Sequence, residues 1–149
     1  MIEKILVTSE INGNELQRSM ALRGKNSFAF RVMHSADLAE TALIRCGKLP
    51  EGKRVRLNEQ QFVIGGLMHQ VGYFSGTFSF SDAIRLTESL NAVRLQFASD
   101  ESVGLHEALP RGEFTDKNNA LLEVYDLYIG WLAENGRFDD ICLIRYAVE

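Results

Sequence analysis

The chain has 149 residues, 46% of them hydrophobic, which is enough for one globular domain with its own core. The net charge is −4, so no overall basic character marks the chain as a nucleic-acid-binding protein. No apolar run approaches the roughly 20 residues of a membrane span, and the charged residues scattered through positions 2–20 argue against a secretory signal. We therefore expect a cytoplasmic protein without a membrane partner.

The first third of the chain has the pattern β-α-β-α. Lys4–Ser9 is an apolar, β-branched run typical of a buried strand, and the helix that follows ends at Gly24. Phe28–His34 is the second predicted strand. Ser35 is the expected N-cap of the next helix, and Gly47 is its C-terminal stop. The short connections imply parallel pairing of the two strands.

The middle of the chain is predicted to be mostly helical. A turn, with a short extended piece at most, precedes a helix whose capping box is Asn58 and Gln61. Residues 73–80 form a loop rich in Gly, Ser and Phe. Ser81 then caps a helix with the apolar stripe Ala83, Leu86, Leu90, Val93 and Phe97. Three charged side chains off that stripe are expected in solvent: Arg85, Glu88 and Arg94.

Two further helices are predicted to end the sequence. The first runs from Thr115 to a stop at Asn135-Gly136, and its stripe is Leu121, Leu122, Tyr125, Tyr128 and Leu132. The second begins near residue 137, with Asp139 and Asp140 at its start. The pattern predicts an α/β fold in a single domain, residues 1–149, in which a small parallel sheet from β-α-β-α units precedes a predominantly helical C-terminal half.

Short motifs for metal or nucleotide chemistry are weak in this sequence. The P-loop spacing Gly-x-x-x-x-Gly-Lys-Ser/Thr is missing after the first strand, so nucleotide hydrolysis is not expected. Residues 51–53, Glu-Gly-Lys, match part of an Asp…Glu-x-Lys nuclease motif. However, Asp37 upstream lies in the first turn of a predicted helix, where a carboxylate is explained by the helix dipole. The His and Cys residues lack paired ligand spacing, so no metal or cofactor is expected. Cys46 and Cys142 are expected to be buried, reduced thiols.

Acid–base catalysis is one use for the Asp139-Asp140 pair, in a site assembled with His34. Capping and dipole stabilisation at a helix start is the favoured interpretation of that pair. Phe74, Phe78 and Phe80 alternate in a form that would suit base stacking, although burial is favoured because no Lys or Arg cluster accompanies them. A helix with Tyr125, Tyr128 and Trp131 is expected to pack in a core or an interface.

Three segments, in chain order, resemble superfamily 1 helicases. "ILVTSEINGNELQRSM" is similar to a strand and helix of that family through Thr8, Glu15 and Leu16, and "RVMHSADLAETAL" is similar to the next strand and helix through His34 and Ser35. The third segment resembles a later helical pair and contributes Tyr125, Tyr128, Leu132, Gly136, Asp139 and Asp140. Together they resemble the N-terminal, inactivated helicase-like region of the B-subunit type of ATP-dependent helicase–nuclease, a PD-(D/E)XK nuclease family.

That resemblance implies a non-catalytic module of a DNA recombination and repair nuclease, acting as a scaffold or a single-stranded DNA-binding surface. In active relatives the positions of Thr8, His34 and Ser35 lie near single-stranded DNA, where hydroxyl, imidazole and helix N-terminal N–H groups can contact phosphates. The parent protein would be an exonuclease with a partner subunit, and the abrupt end at residue 149 indicates a truncated chain or a last helix that frays. The alternative is an unrelated α/β protein-interaction domain whose contact face is the Phe-rich loop or the Tyr/Trp helix.

Overall fold

The computed structural model describes residues 4–7, 10–24, 30–76, 78–96, 105–106 and 115–148. The chain forms two compact units, residues 1–49 with 146–149, and residues 50–145. Each contains one two-stranded parallel sheet among helices, so the expected helix-rich α/β class is confirmed. The assignment of residues 1–149 to one helicase-like domain stays a prediction.

The first unit confirms the β-α-β-α pattern. Its elements are β1 (Lys4–Val7), α1 (Glu10–Leu22), β2 (Phe30–Met33) and α2 (Ser35–Cys46). Strands β1 and β2 pair in parallel, from Lys4 opposite Phe30 to Val7 opposite Met33. Because Val7 and Met33 are register partners, both strands end at the same edge of the sheet.

Helix α2 begins one residue earlier than the sequence predicts. His34, not Ser35, is the N-cap, since its carbonyl oxygen accepts the first intrahelical bond from the Leu38 N–H at 3.0 Å. The His34 side chain makes no capping hydrogen bond. At the other end, Gly47 takes up the left-handed conformation at φ 66°, as expected for a C-terminal stop.

The exposure of Cys46 differs from the prediction of a buried thiol. The buried face of α2 consists of Ala36, Ala39 and Leu43. Cys46 continues that spacing, but it is the last helical residue, and there its side chain is exposed. Helical periodicity predicts burial only for those turns of a helix that pack against another element.

The second unit contains a sheet strand that the sequence did not predict. Its elements are β3 (Lys53–Val55), α3 (Leu57–Met68), a 3-10 turn (Gly72–Phe74), α4 (Phe80–Gln96), α5 (Thr115–Glu134), β4 (Arg137–Asp139) and α6 (Asp140–Val148), whose end lies in the first unit. Residues 137–139 were expected to open a helix, but they pair in parallel with β3. The strand that pairs with this short segment, β3, is distant in the sequence, and local patterning cannot indicate such a pairing.

A close backbone approach fixes the start of the β3–β4 sheet. The N–H of Lys53 donates to the carbonyl oxygen of Gly136 at 3.1 Å. Gly52 has φ +120°, and a Cβ at that position would overlap the same carbonyl oxygen. Gly136, at φ 58°, ends α5 as the sequence predicted. Glycine is therefore required at position 52 by both conformation and space.

Two predicted helix starts are shifted. Helix α3 begins at Leu57 with Arg56 as its N-cap and no side-chain capping bond, so the Asn58–Gln61 capping box is wrong. Helix α4 begins at Phe80, before the expected cap Ser81. Its capping bonds come instead from Ser79, whose N–H and Oγ both lie 2.8 Å from Asp82 Oδ2. The carboxylate satisfies the free backbone donor, as in a capping box.

The core of the second unit lies between α3, α4 and α5. Helices α3 and α4 approach closely, since a Cβ on Gly65 would lie 3.3 Å from the Cβ of Ala83. Tyr125 and Tyr128 are buried, as expected. Among the described residues, the buried apolar cluster that forms this core consists of Val55, Ile64, Leu67, Met68, Val71, Ala83, Leu86, Leu90, Leu105, Ala120, Val124, Tyr125, Tyr128 and Leu132. Two of the loop phenylalanines, Phe74 and Phe78, are half-buried against this core, whereas Phe80 is exposed.

Candidate functional site

A buried polar group surrounds the carboxylate of Asp139, the last residue of β4. We call it the Asp139 cluster, and its members are Asp139, Arg94, Tyr128, Gln60 and Asn91. Asp139 is 1% exposed and Arg94 2% exposed. Burying two charges is costly unless they face each other and are hydrogen-bonded. The geometry of this group therefore decides whether it is a structural clamp or a reaction centre.

The Arg94 guanidinium binds Asp139 through both of its terminal nitrogens. Nη1 donates to Oδ2 at 2.6 Å and Nη2 donates to Oδ1 at 3.2 Å. The Tyr128 hydroxyl donates to Oδ2 at 2.9 Å. A two-pronged contact of this kind is the strongest arrangement available to Arg and a carboxylate. It joins α4, α5 and β4 at one point.

Helix α3 enters the cluster through an amide pair. Gln60 Nε2 donates to Asn91 Oδ1 at 2.8 Å, and Asn91 Nδ2 donates back to Gln60 Oε1 at 2.9 Å. Gln60 Nε2 also lies 3.4 Å from Asp139 Oδ2, and Arg94 Nη1 lies 3.4 Å from Asn91 Oδ1. The reciprocal pair satisfies a buried amide and places α3 in the same network.

Asp139 also caps helix α6, as the capping interpretation of the sequence predicted. Its Oδ1 accepts the N–H of Cys142, three residues on, at 3.0 Å. Asp140 points to a different cation, because its Oδ1 lies 2.7 Å from both Nε and Nη2 of Arg54. The two neighbouring carboxylates therefore bind separate arginines. This geometry gives no support to their use as a catalytic acid–base pair.

The electrostatics of the cluster keep Asp139 ionised. Burial alone raises the pKa of the carboxyl group, but the facing Arg94 charge and the hydrogen bonds from Arg94 and Cys142 outweigh it, and the pKa falls below the ordinary 3.8. The pKa of the Tyr128 hydroxyl is raised by burial and by the Asp139 charge, so this hydroxyl stays a donor. Burial, followed by the Asp139 charge, raises the pKa of the Cys142 thiol to about 11.

These contacts describe a clamp and not a reaction centre. Five donors, from Arg94, Tyr128, Gln60 and the Cys142 backbone, converge on the two oxygens of Asp139. A carboxylate has about four lone-pair positions, so little capacity remains for a substrate. Within the described ranges, no group of three or more His, Cys, Asp or Glu side chains is placed to hold a metal ion.

Arg94, predicted from the sequence to lie in solvent, is buried, so that prediction is wrong. The signal was present in the spacing, since Arg94 follows the buried residues Ala83, Leu86 and Leu90 by eleven, eight and four positions. These intervals put it on the apolar face of α4. A charged residue on such a face needs a buried counter-charge, which Asp139 supplies from 45 residues away. Arg85 and Glu88 are exposed, as predicted.

The three residues nominated for DNA contact belong to the first unit. His34 is exposed and has extended backbone angles, φ −73° and ψ 150°. Ser35 is exposed and is the first residue of α2. Thr8 lies outside the described residues. The structure therefore brings His34 and Ser35 together at one helix start, immediately after β2, and their role in binding stays a prediction.

The distribution of charge along the chain is uneven. Residues 1–49 contain seven Lys or Arg against five Asp or Glu, a net charge of +2. Residues 50–149 contain nine Lys or Arg against fifteen Asp or Glu, a net charge of −6. The overall value of −4 therefore conceals a basic N-terminal third, where the nominated residues lie.

None of the helices in the described part of the chain is long and apolar enough to span a bilayer. Comparison of the chain with models of known protein families, with curated proteins and with solved structures finds no match.

Proposed function

We propose that this chain is a non-catalytic helicase-like module of a DNA recombination and repair nuclease, and that it binds single-stranded DNA at the carboxyl-terminal edge of the β1–β2 sheet. The observation that carries the proposal is the parallel register of Val7 with Met33. In a parallel sheet the strands end at one edge, and ligands of open α/β sheets bind in the crevice beyond that edge. Thr8 and His34 are the next residues in the sequence.

The start of α2 supplies groups that suit a phosphate. The first N–H groups of a helix have no partner within the helix, and in α2 these begin with Ser35 and Ala36. Such groups and the helix dipole attract anions. The His34 imidazole is exposed beside them and is not used as a cap. Asp37 carries a negative charge in the same turn, which would repel a phosphate. Neutralising Asp37 should therefore strengthen DNA binding, whereas the changes at His34 and Ser35 should weaken it.

The charge distribution of the chain favours the first unit as a whole. A net charge of +2 on residues 1–49, against −6 on the rest, favours DNA on the first unit. In this proposal the module serves a cytoplasmic exonuclease as a scaffold, together with a helicase–nuclease partner subunit, and the chain contributes binding without chemistry of its own.

The test is fluorescence anisotropy of a labelled 20-nucleotide oligo(dT) titrated with the full chain at several NaCl concentrations. Binding should weaken steeply with salt, with a slope of about −0.7 per phosphate neutralised on a single strand. His34→Ala and Ser35→Ala should each weaken binding about fivefold, the effect of losing one modest hydrogen bond to a charged group. Asp37→Asn should strengthen it.

The matched control is Ser89→Ala, an exposed serine on α4 in the second unit. It should leave the affinity unchanged. If wild type, His34→Ala and Ser35→Ala bind oligo(dT) with equal affinity, His34 and Ser35 do not contact the DNA. If wild type does not bind oligo(dT) even at low salt, the proposal is wrong.

A protein-interaction role is the second candidate. Tyr125 and Tyr128 are core residues, so these two side chains are not available as a contact face. However, Trp131 is only half-buried, and it borders a groove along α5. That groove favours a protein partner on this face of α5.

A further inference from the structure

The surface of α5 bears a groove that the DNA proposal does not use. Its volume is about 720 Å³, and its apolar lining is Leu67, Leu122, Leu127 and Trp131. The helix positions that line it recur at intervals of three and four residues from Asn119 to Glu134. At 1.5 Å per residue this stripe is about 22 Å long, which matches four turns of a second helix.

The rim of the groove is acidic. Glu123, Asp126 and Glu134 line it and are exposed, and no Lys or Arg occurs among its described lining residues. His106 also lines the groove, with Nε2 3.3 Å from Asp126 Oδ1. An apolar floor with a rim of one sign selects a ligand with an apolar face and charges of the opposite sign.

Gly130 lies within this stripe, in its C-terminal half. A Cβ added there would meet no atom within 4 Å, so the fold of the chain does not require glycine at this position. Glycine inside a helix is unfavourable compared with other residues, and its usual benefit is close approach of another backbone. A position without a side chain among the lining residues of the groove allows a partner helix to pack close to α5.

We propose that this groove, lined by α5 and the end of α3, docks an amphipathic helix of a partner protein whose apolar face is flanked by Lys or Arg. The second unit of another copy of the chain is a poor occupant, since residues 50–149 carry a net charge of −6 and would repel a like-charged face. The docking geometry is that of a helix laid into a hydrophobic groove and anchored at successive turns. The inference does not rest on DNA binding.

The probe is a fluorescein-labelled 16-residue helical peptide with Leu at every third and fourth position and Lys elsewhere. Wild-type chain should bind it with one-to-one stoichiometry, and binding should weaken as salt screens the charges. A peptide of the same pattern with Glu in place of Lys should bind at least tenfold more weakly. Glu123→Gln with Asp126→Asn should weaken binding of the Lys peptide about tenfold, and Glu88→Gln, an exposed site on α4, should not.

The decisive variant is Gly130→Leu, which fills the groove. It should weaken peptide binding at least tenfold while the melting temperature holds or rises, because Leu has the higher helix propensity. Gly66→Leu is the matched control, since Gly66 is an exposed helical glycine on α3 with equally open space around it. It should leave binding unchanged.

Three outcomes would overturn the proposal. One is equal affinity of Gly130→Leu and wild type for the Lys peptide, and another is equal affinity of wild type for the Lys and Glu peptides. The third is a wild-type dimer in sedimentation that Gly130→Leu dissociates, which would assign the groove to a second copy. None of these results bears on oligo(dT) binding, so the two proposals fail separately.

Discussion

Replacing Asp139 with Asn should destabilise the second unit severely. The side chain keeps its size, but one oxygen becomes an NH₂ group among donors from Arg94, Tyr128 and the Cys142 backbone. The new NH₂ group would then face another hydrogen-bond donor, and neither could be satisfied. In addition, the guanidinium of Arg94, which is 2% exposed, loses the carboxylate that faces it.

The magnitude follows from the burial of the pair. Removing one partner of a buried ion pair costs about 3–5 kcal/mol, because the remaining charge was desolvated on folding. A domain of ordinary stability unfolds with about 5–15 kcal/mol, so the change removes a large fraction of it. With a guanidinium dependence of about 4 kcal/mol per molar, the unfolding midpoint should fall by about 1 M.

The assay is guanidinium unfolding followed by tryptophan fluorescence. Trp131 is the only tryptophan in the chain, and its ring lies 6.4 Å from the Tyr128 ring, in the second unit. Asp126→Asn is the control, since that carboxylate is 56% exposed and lies 3.3 Å from His106 Nε2 at the surface; it should change stability by less than about 0.5 kcal/mol. An Asp139→Asn midpoint within about 0.2 M of wild type would refute the clamp.

The same variant predicts a pH dependence. The pKa of Asp139 is lower in the folded chain than its ordinary value of 3.8, so its contribution to stability is complete above that value. The contribution is lost as the pH falls through the folded pKa. The difference in unfolding midpoint between wild type and Asp139→Asn should therefore narrow on going from pH 7 to below about pH 3. A difference that stays constant over this range would contradict the assigned ionisation.

Two further predictions concern single positions. Cys46 is exposed, whereas burial and the Asp139 charge raise the pKa of Cys142 to about 11, so a thiol reagent at pH 8 should modify Cys46 rapidly and Cys142 only on unfolding. Equal rates, read by mass spectrometry of peptides, would contradict this. Gly52→Ala should destabilise the chain by about 2 kcal/mol or more, because its Cβ would overlap a backbone oxygen at φ +120°. Gly66→Ala, the control in open helix, should stabilise it slightly; a neutral Gly52→Ala would argue against the β3–β4 approach.

Local patterns were sufficient for much of the first unit. Short connections between apolar runs implied parallel strands, and β1 and β2 pair in that way. Gly47 was predicted as a stop because the left-handed conformation at φ 66° favours glycine. The N-cap shifted from Ser35 to His34, since capping preferences do not decide which carbonyl accepts the first helical bond.

The second unit depends on contacts that are distant in sequence. Strand β4 has three residues and acquires its identity by pairing with β3, more than 80 residues earlier. Arg94 was predicted to lie off the apolar stripe of α4, whereas it follows the buried Leu90 by four residues and faces the core. Its partner Asp139 was correctly predicted to cap a helix. The second role of Asp139, as the buried counter-ion of Arg94, depends on a contact across 45 residues that no local pattern indicates.

The most direct test of the proposed function is to locate the DNA on the folded chain. In a ¹⁵N-labelled sample titrated with oligo(dT) at low salt, the largest amide chemical-shift changes should occur at residues 34–37, at the start of α2. These shifts should disappear as salt is raised. Amide shifts confined to residues 50–145, or none at saturating oligo(dT), would contradict the claim that the edge of the β1–β2 sheet binds single-stranded DNA.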